Sequence, residues 1–273
     1  LGLEISRRSG IEIDEAQTST LDSVRDLMEL IAEQEPSQPG VGETSAPQRV
    51  LTRRDQHWLK PLSPPGAMLA ARLHTLDRTL ANRWFELSVE GTPPPANTQV
   101  LFTPNHISHL DPFILAAALE PDQMRRTFWA GWTGAAFRNP FTRAIARLGQ
   151  AIPVDERSAR ASLALAEAIL KRGYNLVWFP EGSRSRNGQM QPLRKGVGYL
   201  LDASPVSVVP ITLRGTYEAM PPGRLLPRRY PVSLRFGPLI ETEQLDREGQ
   251  GDQRPERIRQ ALQRRMEALL LEA

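Results

Sequence analysis

The arrangement of apolar and polar positions alternates between two periods along most of the chain. Leu69, Leu73, Leu76 and Leu80 recur at helical spacing within Met68 to Leu80, which predicts an amphipathic helix. Such a helix is expected to pack on its own domain, with a membrane surface as the alternative. From residue 97 a different rhythm begins. Val100-Leu101-Phe102, Leu176 to Phe179, Val206 to Ile211 and Val232 to Phe236 are short apolar runs, the signature of buried strands. Between them, Pro112 to Leu119 and residues 158–172 read as helices, the second stopped by Gly173. After Pro255, Ile258, Leu262, Met266 and Leu269 mark a last amphipathic helix. Strands interleaved with helices predict an α/β domain built on a mixed, mainly parallel central sheet flanked by helices. No internal repeat is present.

The first 49 residues follow another plan. Leu1 to Arg8 reads as the end of a helix stopped at Gly10. Ser23-Val24-Arg25-Asp26 resembles a capping box, with Val24, Leu27 and Ile31 on one face behind it. Residues 34–49 hold three Pro and two Gly without apolar periodicity, a linker composition. The expected organisation is an all-α fragment over 1–33, a linker over 34–49 and one domain over 50–273. Some 33 residues without disulfide or metal are too few to bury a stable core, so the first unit is expected to be incomplete.

Charge follows the same division. Residues 1–49 carry 10 acidic and 4 basic side chains, residues 50–273 carry 21 and 30, so the second unit is suited to an anionic partner. A pI near 9.6 alone suggests nucleic acid, but no aromatic–basic motif supports that role. Cysteine is absent, which excludes disulfides, zinc–thiolate sites, iron–sulfur clusters and thiol catalysis. The longest aliphatic and aromatic run, Phe113 to Leu119, has seven residues, against about 20 for a membrane-spanning helix. No secretory-type start is visible, and a chain opening on Leu1 is expected to be a piece of something longer, or processed.

Two clusters can do chemistry. Asn105-His106-Ile107-Ser108-His109-Leu110-Asp111 follows the first strand run. A strand-to-helix turn can bring the Asp111 carboxylate to one imidazole nitrogen of His106, leaving the other nitrogen free to take a proton. That is the base and orienter of a triad without an enzyme nucleophile, which the substrate's hydroxyl would supply. The plainer alternative makes Asp111 only a helix N-cap before Pro112. The second cluster, Phe179-Pro180-Glu181-Gly182-Ser183-Arg184-Ser185-Arg186, lies at the end of another strand run, where ligands of open α/β sheets gather. Gly182 permits close backbone approach, and Ser183 and Arg184 suit a phosphate; a tight polar turn is the alternative. Phe128-Trp129-Ala130-Gly131-Trp132 and Phe137 suit an acyl tunnel, a lipid contact or a core equally well. The loop Pro221 to Arg229 mixes Arg with Leu, as an anionic membrane surface would require.

Taken together, NHISHLD, then FPEGSRS some 70 residues later, then Val209-Pro210-Ile211, resemble the paired signature of the glycerolipid acyltransferases, typified by lysophosphatidate acyltransferases. The resemblance spans roughly residues 95–240 and implies that family's fold. It implies His106 as general base and Asp111 as its orienter, with Glu181, Gly182, Ser183 and Arg184 holding the acceptor. The reaction it implies moves a fatty acyl group from acyl-CoA or an acyl carrier protein to a hydroxyl of a lysophosphatidate or related lysophospholipid. No metal or redox cofactor is implied, and the enzyme would sit in the cytoplasm, peripheral to the inner face of the membrane. The family's second motif departs here: Glu156 stands where Arg is expected and Arg157 follows one residue later, so Arg157 is a further candidate for the phosphate. Residues 1–33, LGLEISRRSGIEID followed by TLDSVRDLMELI, look like the C-terminal half of an acyl carrier protein whose prosthetic-group serine would lie before Leu1. A fused carrier would deliver its own thioester. Two alternatives remain: a non-catalytic lipid- or carrier-binding module, and a metal-dependent hydrolase on His106, His109 and Asp111. The hydrolase reading lacks downstream histidines, because none follows His109.

Overall fold

The computed structural model describes residues 51–155, 158–224 and 226–272. The expected carrier-like fragment over 1–33 and the expected linker over 34–49 lie outside the described residues. In chain order the described elements are α1 (Arg53–Trp58), α2 (Pro64–Trp84), β1 (Ser88–Glu90), β2 (Val100–Pro104), α3 (Asp111–Ala118), α4 (Pro121–Arg125), β3 (Thr127–Trp132), α5 (Thr133–Ala136), α6 (Pro140–Leu148), β4 (Ala151–Val154), α7 (Ala159–Lys171), β5 (Asn175–Val177), α8 (Gly196–Ala203), β6 (Ser207–Arg214), α9 (Thr216–Ala219), β7 (Ser233–Phe236), α10 (Thr242–Glu248) and α11 (Arg254–Leu271).

The strands form one sheet in the order β1-β7-β6-β2-β5-β3-β4. Pairing is parallel except between β6 and β7, so the expected mixed, mainly parallel sheet is present. Strands buried on both faces lose the polar alternation of a half-exposed strand, and every residue of β2 is buried. Alternate residues feed two cores. Leu101, Phe128, Leu176 and Val208 pack with Leu165 and Ile169 of α7, Leu200 of α8, and Ile258, Leu262 and Met266 of α11. Val100, Phe102, Trp129, Val177 and Val209 pack on the other face with Ile114 and Leu115 of α3 and with Ala81 and Phe85. Two helical layers thus enclose the sheet, and β2 lies inside it between β5 and β6.

Three open readings are narrowed. In the aromatic segment, Phe128 and Trp129 of β3 and Phe137 are buried, in line with the core alternative. The helix over 68–80 exists as part of α2, but its leucine stripe does not pack on the domain. Leu69, Leu73, Leu76 and Leu80 are 44–54% exposed, and Met68 and Trp84 are exposed as well. The side that docks is another one, carrying His74 and Ala81, with His74 Nε2 2.9 Å from the carbonyl oxygen of Ala116 in α3. Finally, Asp111 is not an N-cap. It is the first residue of α3, and its carboxylate accepts from the backbone of residues that precede the helix.

Among the described residues no helix is long and apolar enough to cross a membrane.

Candidate active site

The loop after β2 sits where β2, β5 and β6 end side by side. Phe102 is in register with Val177, and Pro104 with Ile211. Parallel pairing therefore delivers the segments after three strands to one edge of the sheet. Asn105 extends this pairing with its side chain: its amide donates to the Leu213 carbonyl at 3.1 Å and its Oδ1 accepts from Leu213 N–H at 2.7 Å.

His106 is gripped through its backbone by the second cluster. Its N–H donates to Glu181 Oε1 at 2.7 Å, and its carbonyl accepts from Ser185 N–H at 2.8 Å. Its ring lies 4.3 Å, centroid to centroid, from that of Phe179. With the backbone and one ring face held, Nδ1 points at Asp111 Oδ2, 2.9 Å away. Nδ1 therefore takes the hydrogen bond and Nε2 is left for a substrate proton. The imidazole keeps about a fifth of its surface open to solvent, while Asp111 has none.

Both oxygens of the buried Asp111 carboxylate accept hydrogen bonds. Oδ2 also accepts from the N–H groups of Ile107 and Ser108, each at 2.7 Å. Oδ1 accepts from the Thr216 hydroxyl at 2.6 Å. A buried carboxylate needs such donors to replace water.

Glu181, which the resemblance placed among the acceptor-binding residues, has both carboxylate oxygens bonded within the protein. The residue is 1% exposed. One oxygen holds His106 N–H and the other holds Gln191 N–H at 2.8 Å. Burial pushes its carboxyl up to about 7, against the downward pull of those two N–H groups and the nearby His106. It is a tie between loops. Gly182 adopts a left-handed backbone, φ +75°, which a side chain would strain. Ser183 and Arg184 are partly exposed beyond it. Arg184 forms no ion pair among the described residues. Its charge reaches the first cluster: the shielding of the His109 ring from water, and next to it Arg184, hold that imidazole below its usual range. His109 is exposed as a residue and makes no bond to Asp111. Arg157 and Glu156 lie outside the described residues.

Among the described residues no group of three or more His, Asp or Glu side chains gathers as a metal-ligand set, so the hydrolase alternative finds no donor set at His106, His109 and Asp111. Thr216 and Gln191 were missed as parts of this site: Thr216 reaches Asp111 only through the pairing of β6 with β2, which periodicity does not carry, and Gln191 reaches Glu181 by the folding of the loop after β5.

Comparison with known proteins finds likeness in both sequence and fold. Residues 86–214 match the family model described as Acyltransferase. A 1-acyl-sn-glycerol-3-phosphate acyltransferase of Limnanthes douglasii is 29% identical over 153 residues, covering 53% of this chain and 51% of that one. A chloroplastic enzyme of the same description from Arabidopsis thaliana is 30% identical over 146 residues, 51% of this chain and 39% of the relative. The chain thus spans about half or less of these curated relatives' length. The crystal structure of the 1-acyl-sn-glycerophosphate (LPA) acyltransferase PlsC from Thermotoga maritima superposes with a TM-score of 0.58 over 77% of this chain and 83% of that one, at 20% identity. That likeness establishes the fold. The sequence matches show a likeness to acyltransferases over the segment they cover.

Proposed function

We propose that this chain transfers a fatty acyl group from an acyl thioester to a free hydroxyl of a lysophosphatidate-type acceptor. The observation that carries this reading is the His106 Nδ1–Asp111 Oδ2 bond of 2.9 Å, which leaves the ring's Nε2 to take the acceptor's proton. The acceptor hydroxyl gives its proton to Nε2 as its oxygen attacks the thioester carbonyl. Asp111 stabilises the imidazolium that forms. When the tetrahedral adduct collapses, the carbon–sulfur bond breaks and the imidazolium returns its proton to the departing thiolate. General-base help of this kind contributes about 10²–10⁴ in rate. The unpaired Arg184 suits the acceptor's phosphate, through charge-assisted bonds, with Gly182 and Ser183 lining the approach and Arg157 as a second phosphate contact. The chemistry needs no metal. The thiol that leaves is that of coenzyme A or of an acyl carrier protein.

A membrane surface is the proposed source of the acceptor. The leucine stripe of α2 stands in solvent, and Phe141 and Ile145 of α6 are exposed too. Arg229, in the loop between α9 and β7, pairs with Glu86 just past the end of α2 at 2.7 Å. That loop also exposes Leu226 at 76% with Arg224 and Arg228. It starts beside the dyad, since Ser108 Oγ donates to the Met220 carbonyl at 3.0 Å. Apolar stripe, basic loop and site mouth fit a peripheral enzyme at the inner, anionic face of a membrane.

The test is transfer of labelled acyl groups from acyl-coenzyme A, and from acyl carrier protein, to a panel of lysophospholipids and simple alcohols. Transfer to 1-acylglycerol 3-phosphate that His106→Ala abolishes supports the reading. Tight lipid binding without turnover of any thioester would instead make the chain a binding module.

A further inference from the structure

We propose that Thr216 is a positioning residue of the acyl-transfer site, whose hydroxyl fixes the rotation of the Asp111 carboxylate and through it the His106 imidazole. The inference rests on the reading of His106 and Asp111 as base and orienter.

The two oxygens of Asp111 are loaded unequally. Oδ2 receives three donors, all from residues 106–108 of its own loop. Oδ1 receives one, the hydroxyl of Thr216, at 2.6 Å and 105 residues away in sequence. A terminal carboxylate torsion is broad and roughly two-fold, unlike the staggered wells of an aliphatic bond. Three donors on one oxygen fix where that oxygen sits but leave the plane free to tilt about it. A donor on the opposite oxygen removes that freedom. Asp111 and Thr216 are both 0% exposed, so bulk water is not at hand to replace the hydroxyl. The same burial keeps Thr216 from touching substrate, and its influence must pass through Asp111.

The backbone places Thr216 firmly. Gly215 turns the chain at the end of β6 with φ +79°, and a Cβ there would meet the Pro231 carbonyl oxygen at 2.2 Å. The single turn of α9 follows, closed by Ala219 N–H to Gly215 O and Met220 N–H to Thr216 O. Both ends of this turn fasten onto the dyad loop: Thr216 donates to Asp111, and the Met220 carbonyl accepts from Ser108 Oγ. This turn is thus bolted twice to the loop that holds the base.

The test compares Thr216→Val, which keeps shape and loses the hydroxyl, with Thr216→Ser, which keeps the hydroxyl and loses the methyl. Rates are measured per folded molecule with hexadecanoyl-coenzyme A and 1-oleoylglycerol 3-phosphate in detergent micelles. Thr216→Val should lower kcat about 10- to 100-fold, the value of one hydrogen bond to a charged group, with KM for both substrates within about twofold. Thr216→Ser should stay within about threefold of the parent. In an Asp111→Asn background, adding Thr216→Val should change the residual rate less than about twofold, because the two act along one path. Equal losses for Val and Ser, or a loss that multiplies on Asp111→Asn, overturn the inference. Should the Val protein not fold, Thr216→Ala carries the same comparison with Ser. If His106→Ala and Asp111→Asn keep the parental rate, the dyad reading fails and this one with it. If they lose it while Thr216→Val does not, only this inference fails.

Discussion

His106 and His109 stand three residues apart, and the structure treats them differently. One is held by a buried carboxylate and by backbone bonds from another loop; the other is exposed and lies within the field of Arg184. His106→Ala should therefore abolish transfer with little change in the thermal midpoint, and Asp111→Asn should be nearly as severe. His109→Ala should keep at least about a tenth of the rate, because a bystander forfeits little of the general-base factor. Steady-state rates of the three variants measured together decide, and equal loss at both histidines would sink the assignment. Arg184→Ala should raise KM for the phosphorylated acceptor about tenfold or more while leaving that for the donor nearly unchanged, as loss of a charge-assisted contact of roughly 1.5–3 kcal/mol requires. Glu181→Gln tests the loop tie: an amide can accept through only one of its two ends, so the N–H of His106 or of Gln191 faces an NH₂ group. A lost buried partner costs about 1–3 kcal/mol, and the expected sign is a lower kcat in a protein that still folds.

At the level of elements, α2 is where pattern and structure part. The spacing of Leu69, Leu73, Leu76 and Leu80 identified the helix and its apolar side correctly, yet that side meets solvent. Period shows that a stripe exists, whereas what covers it is decided elsewhere, here by His74 and Ala81 docking against α3. The longer strands and helices were legible because their runs fill a face. The three-residue β1 and the one-turn helices α5 and α9 were not, being shorter than a period can register. His106 and Asp111 were legible because they share one turn of chain; Thr216 was not, since β6 reaches β2 only through the sheet order. Replacing Leu73 and Leu76 together by Glu should leave the thermal midpoint within about a degree or two, because exposed positions carry little stability, while abolishing co-flotation with vesicles containing anionic lipid. Unchanged flotation would remove α2 from the membrane face. Asp77 adds a pH term to the same helix. Burial lifts its carboxyl to about 7 from 3.8, so the stability it contributes is present below about pH 4 and is lost as pH rises through 7. Asp77→Asn should thus raise the melting temperature by a few degrees at pH 8, and progressively less toward pH 5. Differential scanning calorimetry across that range checks the sign.

For the whole molecule, the linker composition of residues 34–49 proposes that the later domain stands alone. Removing residues 1–49 should leave a folded protein that transfers from a free acyl thioester; unfolding of the remainder would misplace the boundary. Trimming to the matched segment 86–214 should not be tolerated, since it discards Ile258, Leu262 and Met266 of the core and Leu234 and Phe236 of β7. Far-ultraviolet circular dichroism of the two pieces separates these outcomes. The grip on His106 has a further consequence during synthesis. Its backbone waits for Glu181, 75 residues downstream, its neighbour Asn105 for Leu213, 108 downstream of it, and Asp111 for Thr216, 105 downstream of it. Contacts so distant along the chain close slowly, and a ribosome delivers them in order. A nascent or prematurely stopped chain therefore carries its histidine unaimed until Thr216 has emerged and reached Asp111. On the acyl-transfer reading proposed above, a chain stopped earlier would hold no working base.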